Sequence, residues 1–299
     1  MKPRPAEAWT ARLKPRPTDV GRPFKGAIKK AQMDLRLKGR AALVTGASKG
    51  IGKAIARGLA QEGVNLVVLA RGKEALDQAA EQIRKEQGVQ VLAVQADVRD
   101  IAQVKAAADA AKAEFGTVHI VVNNAGSGIR RQDRQITWPD ADWVDDLNLK
   151  LIGALRVTQS FMPIMPRDWT GRIINISGIA GVSAFIGALT HGLNNSAMNH
   201  MTSYLSRDLA AEKITVNTVV PGLIATEWRH GWAENMGKQQ GKSKEQFVED
   251  ICRAWGIVQG RWGTMEELAD LVTFLASDRA VYVNGARIAF DGGYAINPR

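Results

Sequence analysis

Residues 43–52 of the chain are Leu-Val-Thr-Gly-Ala-Ser-Lys-Gly-Ile-Gly. The apolar residues 41–44 predict a short buried strand, and residues 53–59 predict a helix, because Ile55 and Leu59 lie one turn apart on an apolar face. The three glycines between them let the backbone bend sharply and approach a ligand closely. A helix start offers unpaired N–H groups and partial positive charge, which suits a diphosphate. A strand before the glycines and a helix after them is the context that a dinucleotide-binding turn requires.

The composition limits the class of protein. With 299 residues and 45% hydrophobic content, the chain can form one large α/β domain or two small ones with a sizeable core. Its single cysteine, Cys252, excludes an intrachain disulfide and favours a reducing compartment. No apolar run is long enough to cross a bilayer, and the opening residues Met-Lys-Pro-Arg-Pro do not resemble a signal peptide. We therefore expect a cytoplasmic location and no membrane partner.

Positive charge is concentrated in residues 1–38. This segment holds eleven Lys and Arg, three Asp and Glu and five of the ten prolines, so it accounts for +8 of the net charge of +10. Proline removes backbone donors and fixes φ, which predicts an extended basic arm that lies on the surface or crosses a partner subunit. Because few aromatic residues accompany the charge and the rest of the chain is nearly neutral, we expect no nucleic-acid partner.

From residue 39 to residue 299, apolar runs alternate with helical patterns. The predicted strands are 41–44, 65–69, 91–95, 120–122, 172–176, 215–219 and 287–290. The predicted helices are 53–62, 73–86, 100–114, 140–163, 192–211 and 264–276. Continuous apolar strands separated by helices indicate a parallel sheet covered on both faces. We predict one α/β domain with a doubly wound, Rossmann-type parallel sheet of about seven strands.

Four motifs occur in order along this domain. They are Thr45-Gly46-x-x-x-Gly50-Ile51-Gly52, Asn123-Asn124-Ala125-Gly126, Pro221-Gly222 and Asp291-Gly292-Gly293. In their spacing, the chain resembles the short-chain dehydrogenase/reductase family over about residues 38–295. The resemblance implies an enzyme that moves a hydride between NAD or NADP and a small carbonyl or alcohol substrate. It also implies a homo-oligomer, a tetramer or a dimer.

The resemblance assigns cofactor contacts by position. The glycine turn would face the diphosphate, the residues after the third strand the adenine, the Asn-Asn-Ala-Gly motif the adenosine ribose, and the Pro-Gly segment the nicotinamide. The residues implied are Gly46, Ser48, Lys49, Gly50, Ile51, Gly52, Arg71, Asp97, Val98, Asn124, Ala125, Gly126, Pro221, Gly222, Ile224 and Thr226.

Charge at the end of the second strand indicates which dinucleotide is used. A family member that uses NAD usually has an acidic residue there, bonded to the ribose 2′-hydroxyl. The chain has Ala70 at this position, followed by Arg71, and Lys49 lies in the first turn. A 2′-phosphate needs cationic partners and no carboxylate, so the sequence favours NADP(H) over NAD(H).

The catalytic positions depart from the family pattern, which has an Asn, a Ser and a Tyr-x-x-x-Lys. Asn148 matches the Asn. The Ser position falls on Gly178, with Ser177 one residue earlier. His191 stands where the Tyr is expected and Asn195 where the Lys is expected. None of the three tyrosines begins a Tyr-x-x-x-Lys motif.

Replacing Tyr and Lys together is coherent if His191 is the acid/base group. The pKa of free Tyr is about 10 and requires a nearby cation, whereas that of His is about 6.5 and requires none. His191 and Asn195 share a helix face at i and i+4, so Asn195 could bond the ribose or a water. Ser177 or the Gly178 N–H could polarise the substrate oxygen. Two alternatives remain open: non-redox lyase or isomerase chemistry, and dinucleotide binding without catalysis.

Residues 223–262 lie where the family has its substrate lid. Half of the eight tryptophans fall in this segment, namely Trp228, Trp232, Trp255 and Trp262. Indoles supply flat contact area for a substrate, although lid aromatics also pack on the fold itself. We expect no metal ligands in the site.

Overall fold

The computed structural model describes residues 33–126, 135–185 and 187–294. The chain divides into two units, residues 1–34 and residues 35–299, and the fold described below is that of the larger unit. Most of the predicted basic arm, residues 1–32, lies outside the described residues. The larger unit begins at Leu35, a little before the boundary predicted at residue 38, because Leu37 is only 1% exposed and belongs to its core.

Seven strands form one sheet within the larger unit. They are β1 (Ala41–Thr45), β2 (Asn65–Ala70), β3 (Val91–Gln95), β4 (Ile120–Asn123), β5 (Gly171–Ile176), β6 (Ile214–Pro221) and β7 (Arg287–Phe290). Their order is β3-β2-β1-β4-β5-β6-β7, and every pair of neighbours is parallel. The predicted Rossmann-type parallel sheet is confirmed.

The helices lie between the strands. They are α1 (Gly50–Gln61), α2 (Lys73–Gln87), α3 (Ile101–Phe115), α4 (Asp140–Leu147), α5 (Gly153–Phe161), α6 (Leu189–Asp208), α7 (Glu227–Gln239), α8 (Lys244–Trp255) and α9 (Met265–Ala276). The single helix predicted at 140–163 is interrupted by a π-helical segment, Asn148–Ile152, between α4 and α5. Helices α7 and α8, which the sequence pattern did not predict, occupy the predicted lid. No helix among the described residues is both long enough and apolar enough to cross a membrane.

Both faces of the sheet are buried. Successive strand residues point to opposite faces, so Ala42 and Val44 of β1 belong to one core cluster while Leu43 belongs to the other. Side chains of α1, α2 and α9 complete the first cluster, and those of α3 and α5 help to form the second. This two-sided burial explains why the strands are continuous apolar runs in the sequence.

The strand order reverses between β1 and β4. The chain moves outward from β1 to β3 and then returns to place β4 on the other side of β1. Val44 of β1 pairs with Val122 of β4, so the segments that follow these strands emerge side by side. Ligands of doubly wound folds bind at such a switch point, outside the carboxyl ends of the strands.

Candidate active site

The glycine turn between β1 and α1 has a geometry that suits a bound nucleotide. Gly46 and Gly50 have φ of +67° and +55°, which L side chains rarely adopt. A Cβ atom on Gly52 would lie 2.5 Å from Asn124 Nδ2, which is too close for any other residue. A Cβ atom on Gly50 would meet no atom of the described residues within 4 Å. The turn is therefore tightly packed at Gly52 and open at Gly50.

Helix α1 begins with backbone donors that no side chain caps. Its N-cap residue, Lys49, is extended and makes no side-chain capping bond, and the first turn contains no acidic residue. The side chain of Lys49 is exposed, and Ser48 and Ile51 on either side are half-buried. The helix start and the Lys49 ammonium therefore present positive charge at the carboxyl edge of β1.

The Asn-Asn-Ala-Gly segment ties β4 to β1. Thr45 Oγ1 donates to the Val122 carbonyl at 3.2 Å and accepts from the backbone N–H groups of Asn124 and Ala125, each at 3.0 Å. Asn124 Nδ2 donates to the Thr45 carbonyl at 2.9 Å. Asn124 therefore fixes the shape of the glycine turn, and Gly126, two residues later, lies against the side chain of Lys150.

The end of β2 carries an exposed cation and no carboxylate. Ala70 is 8% exposed and the side chain of Arg71 lies in solvent. Asp97, after β3, accepts from Arg99 at 2.6 Å, and this guanidinium lowers the pKa of Asp97, with a smaller contribution from the charge of Arg71. Val98 is buried, with its side chain against Gly153. The predicted adenine contact Asp97 is therefore part of a half-buried ion pair with Arg99.

The predicted nicotinamide end lies where β6 stops. Pro221 is its last residue, and the Gly222 N–H donates to the Phe290 carbonyl at 2.9 Å. A side chain on Gly222 would meet the Asp291 backbone at 2.9 Å. Ile224 is buried, and the Thr226 hydroxyl caps α7 by accepting from the Arg229 N–H. These residues hold the base of α7 against the carboxyl edge of the sheet.

His191 lies in the first turn of α6, half-buried, where this helix packs closely on the short 3₁₀ turn Ile179–Gly181. A Cβ atom on Gly192 would lie 2.9 Å from the Ala180 carbonyl, so glycine permits the close approach. Asn195, one turn later, is fully buried and its Nδ2 donates to the His191 carbonyl at 2.8 Å. Its Oδ1 atom is buried and has no partner in the described part of the chain. The two predicted catalytic residues on α6 are therefore together.

The other two predicted catalytic side chains have partners elsewhere. Asn148 Oδ1 accepts from Arg156 Nη1 at 2.6 Å, so its amide bonds along its own helix. The Ser177 hydroxyl donates to the Val219 carbonyl of β6 at 3.4 Å, a long bond. A side chain on Gly178 would contact Asn195 Nδ2 at 3.1 Å. The structure therefore brings the strand end at Ser177 and Gly178 to Asn195, while the Asn148 amide is engaged by Arg156.

Lys150 is a further candidate site residue, which the sequence pattern did not indicate. It lies in the π-helical segment, is 6% exposed, and its Nζ donates to the Ser177 carbonyl at 3.4 Å. A Cβ atom on Gly126 would lie 3.5 Å from Nζ, so the ammonium lies directly beside the end of β4. The available signal was a lysine within the otherwise apolar run of residues 149–152.

Burial dominates the electrostatics of Lys150. Loss of hydration lowers its pKa to about 8, and the carboxylate of Asp146 acts in the opposite direction. Asp146 is itself 4% exposed and accepts from Asn194 Nδ2 of α6 at 3.0 Å. A buried cation, a buried carboxylate and the polar face of α6 therefore meet near the carboxyl ends of β4 and β5.

Three of the four lid tryptophans surround one arginine. The Arg229 guanidinium carbon lies 5.5, 5.5 and 5.9 Å from the ring centroids of Trp228, Trp232 and Trp262. Burial lowers the pKa of Arg229. Trp255 instead packs on Phe185, with centroids 5.0 Å apart. Trp262 is buried at 5% exposed, whereas Trp228 keeps 65% of its surface exposed, so the cluster leaves one indole open to solvent.

Within residues 33–126, 135–185 and 187–294, no cluster of three His, Cys, Asp or Glu side chains could hold a metal ion. A cavity of about 440 Å³ lies beside β7 and α9, lined in part by Arg261, Glu267 and Asp291. None of the predicted catalytic residues lines this cavity.

The comparisons with known proteins cover nearly all of the larger unit. Residues 46–295 match the profile of a family described as enoyl-(acyl carrier protein) reductase. The 3-oxoacyl-(acyl-carrier-protein) reductase of Staphylococcus aureus is 35% identical over 255 residues, which are 85% of this chain and 97% of that protein.

Solved structures with the same fold include two reductases. The L-sorbose reductase of Gluconobacter frateurii, complexed with NADPH and L-sorbose, has a TM-score of 0.84 and 30% identity, covering 89% of this chain and 100% of that one. A short-chain dehydrogenase/reductase of Serratia marcescens has a TM-score of 0.74 and 30% identity, covering 87% and 99%. With the seven-stranded parallel sheet and the glycine turn, these matches show that the chain belongs to the short-chain dehydrogenase/reductase family of oxidoreductases.

Proposed function

We propose that the chain is an NADP(H)-dependent oxidoreductase that interconverts a small carbonyl compound and its alcohol, with His191 as the acid/base group. The observation that carries the proposal is the open side of the glycine turn at the start of α1, on the same sheet edge as His191 and Asn195. The reductase names of relatives, and the NADPH bound to the sorbose reductase, support this class of reaction.

The described residues fit NADP(H). The uncapped start of α1 suits the diphosphate, and the exposed Lys49 and Arg71 suit a 2′-phosphate at a strand end that has no carboxylate. The segment from Asn124 to Gly126 would follow the ribose, and the end of β6 would adjoin the nicotinamide. When bound, the dinucleotide supplies or accepts the hydride.

His191 handles the proton in this proposal. In the reductive direction its imidazolium donates a proton to the substrate oxygen, and in the oxidative direction its neutral ring takes that proton back. The unpaired Oδ1 atom of the buried Asn195 is an acceptor for a ribose hydroxyl or a water. The long bond from Ser177 to Val219 leaves that hydroxyl able to turn toward a substrate oxygen, beside the Gly178 N–H.

Dinucleotide binding and turnover test the proposal in sequence. Calorimetric titration should show tighter binding of NADPH than of NADH. A screen of ketones with NADPH, and of alcohols with NADP⁺, should then show cofactor turnover with at least one compound. Binding without any turnover would contradict the oxidoreductase proposal and favour lyase or isomerase chemistry, or a non-catalytic binding protein.

We also propose that the protein assembles as a homotetramer or dimer in the cytoplasm. The support is the edge strand β7, where Arg287 and Ala289 are exposed and Ile288 and Phe290 are only half-buried, whereas every residue of the neighbouring β6 is buried. Light scattering at micromolar concentration should report an assembly, and a monomer would contradict it.

A further inference from the structure

We propose that Lys150 supplies the cation of the catalytic site, in place of the lysine that the family pattern would put at Asn195. Its ammonium would stabilise the negative charge that develops on the substrate oxygen. This inference rests on the proposed reductase function and adds a catalytic residue from a different helix.

The position of Lys150 is defined by two neighbouring strand ends. Gly126 lies three residues beyond Asn123 of β4, and Gly178 lies three residues beyond Asn175 of β5, and these two asparagines are paired in the sheet. The Lys150 ammonium lies against Gly126, and the Asn195 amide lies against Gly178. Because adjacent strands are about 4.8 Å apart, the two polar groups lie at neighbouring points of one edge.

The local backbone gives Lys150 this position. Asn148–Ile152 forms a π-helical segment, whose wider turn changes the direction of the side chains relative to the regular helices α4 and α5 on either side. Such segments are rare and are frequent at functional sites. Asn148 bonds along its own helix, whereas Lys150 is directed inward to the Ser177 carbonyl.

A structural role explains Lys150 poorly. Among the described residues, its ammonium has a single hydrogen bond, to the Ser177 carbonyl at the long distance of 3.4 Å. An ammonium has three donors, and burying it with one weak acceptor costs stability that an unbranched apolar side chain of similar length would not cost. Residues of this kind are retained where charge is needed for function.

Neighbouring groups keep the charge available. Asp146 lies four residues earlier in the chain and favours the protonated lysine, while Asn194 holds this carboxylate through a 3.0 Å bond. Asn195, the next residue of α6 after Asn194, has its amide against Gly178, one residue beyond the Ser177 carbonyl that Lys150 contacts. The ends of β4 and β5 contribute the Gly126 backbone and the Ser177 carbonyl.

The step balances without a proton from Lys150. The carbonyl carbon gains a hydride from NADPH, the π pair of the carbonyl bond moves to oxygen, and His191 gives that oxygen its proton, which yields the alcohol and NADP⁺. Lys150 keeps its three protons and stabilises the oxygen electrostatically while its charge develops. Its effect should therefore appear in kcat, with little effect on cofactor affinity.

Substitution Lys150→Met tests the inference in the full chain. We expect kcat to fall by about 10²–10³-fold, NADPH affinity by calorimetry to stay within about twofold, and Tm to rise by a few degrees because an apolar side chain replaces a buried charge. The kcat of Lys150→Gln, whose side chain is of similar length and uncharged, should fall by the same factor. Lys105→Met, which removes an exposed lysine of α3, is the matched control and should leave kcat unchanged.

The outcomes separate the two proposals. An active wild type whose kcat survives Lys150→Met and Lys150→Gln overturns the role of Lys150 and leaves the reductase intact. A lower Tm for Lys150→Met also overturns it, because Lys150 would then be a structural residue. A wild type that turns over no carbonyl or alcohol substrate removes the reductase proposal, and the role of Lys150 in it is then overturned as well.

Discussion

The nucleotide side and the catalytic side of the sheet edge are built by different means. Around the turn after β1, backbone geometry defines the site. Gly46 and Gly50 have positive φ, which few other residues adopt, and Gly52 is packed so closely that a Cβ atom would not fit. Around β5 and α6, side chains define the candidate site, and the proposal gives His191 and Asn195 the positions of the family's Tyr and Lys. Where the backbone forms the site, one substitution disturbs the whole turn. Where side chains form the site, one residue can be exchanged without altering the others.

A buried polar network supports the catalytic side. Asn123 Nδ2 donates to Thr158 Oγ1 at 3.1 Å and to Asn175 Oδ1 at 2.9 Å, and Asn175 Nδ2 donates to Thr202 Oγ1 at 2.8 Å. Thr202 in turn contacts the Thr218 hydroxyl. The network joins β4, α5, β5, α6 and β6 below the site. These hydrogen bonds hold the strands and helices in place, so the side chains of the candidate site can be replaced without moving them.

Removing the His191 side chain should have the largest effect on turnover, and it tests whether the catalytic side can change without the nucleotide side. We expect His191→Ala to lower turnover by about 10²–10⁴-fold, because the substrate oxygen loses its proton donor. The NADPH affinity should remain nearly unchanged, because the nucleotide side is not altered. Steady-state kinetics and calorimetric titration measure the two quantities separately.

His200→Ala is the matched control, since His200 lies on the same helix but is exposed and stacks edge-on with Tyr204. It should keep full turnover. If His191→Ala also keeps full turnover, His191 is not the acid/base group. If His191→Ala loses NADPH binding as well, the two sides are not independent.

The same division explains what the sequence could predict. The strands and the nucleotide turn were predictable because two-sided burial and glycine geometry leave direct marks in the sequence. Lys150 was not predictable as an inward residue, because a lysine within an apolar run does not by itself show that a π-helical segment turns its side chain inward. Helix α7 was missed because its tryptophans, Trp228 and Trp232, pack around Arg229 within the lid, so its sequence shows little helical period. Helix α8 could have been predicted, because Ser243 and Gln246 form a capping box at its start. The Asn148 side chain bonds to Arg156, which only the three-dimensional arrangement shows.

Adding one methyl group at Gly52 should distort the glycine turn and weaken nucleotide binding. Its Cβ atom would collide with the Gly46 backbone and lie 2.5 Å from Asn124 Nδ2. We expect Gly52→Ala to destabilise the protein by about 1–3 kcal/mol and to weaken NADPH binding by at least about tenfold. A Cβ atom on Gly231, in α7, would meet no atom of the described residues within 4 Å, so Gly231→Ala should leave NADPH binding unchanged and should not destabilise the protein. Unchanged binding in Gly52→Ala would show that the turn adapts, against the backbone-built description.

Removing the charge of Arg71 tests the one part of the nucleotide side that depends on a side chain. Arg71→Ala should weaken NADPH binding by about tenfold, because a 2′-phosphate loses a cationic partner, and should leave NADH binding unchanged. Lys105→Ala removes an exposed cation on α3 and controls for net charge. Equal losses for both nucleotides would mean that Arg71 does not select the 2′-phosphate.

The smallest expected effect is a pH dependence on the catalytic side. Burial lowers the pKa of Lys150 from 10.5 to about 8, so between these values the unfolded chain binds a proton that the folded protein does not. Stability from this residue therefore rises with pH across that window, and below pH 8 the protonated, buried ammonium keeps its full cost. The Tm advantage expected for Lys150→Met over the wild type at pH 7 should then narrow by a few degrees by about pH 9.5. Other titrating groups are common to both proteins and cancel in the difference. A Tm difference that is constant from pH 7 to 9.5 would show that the pKa of Lys150 is not lowered to about 8 in the folded protein.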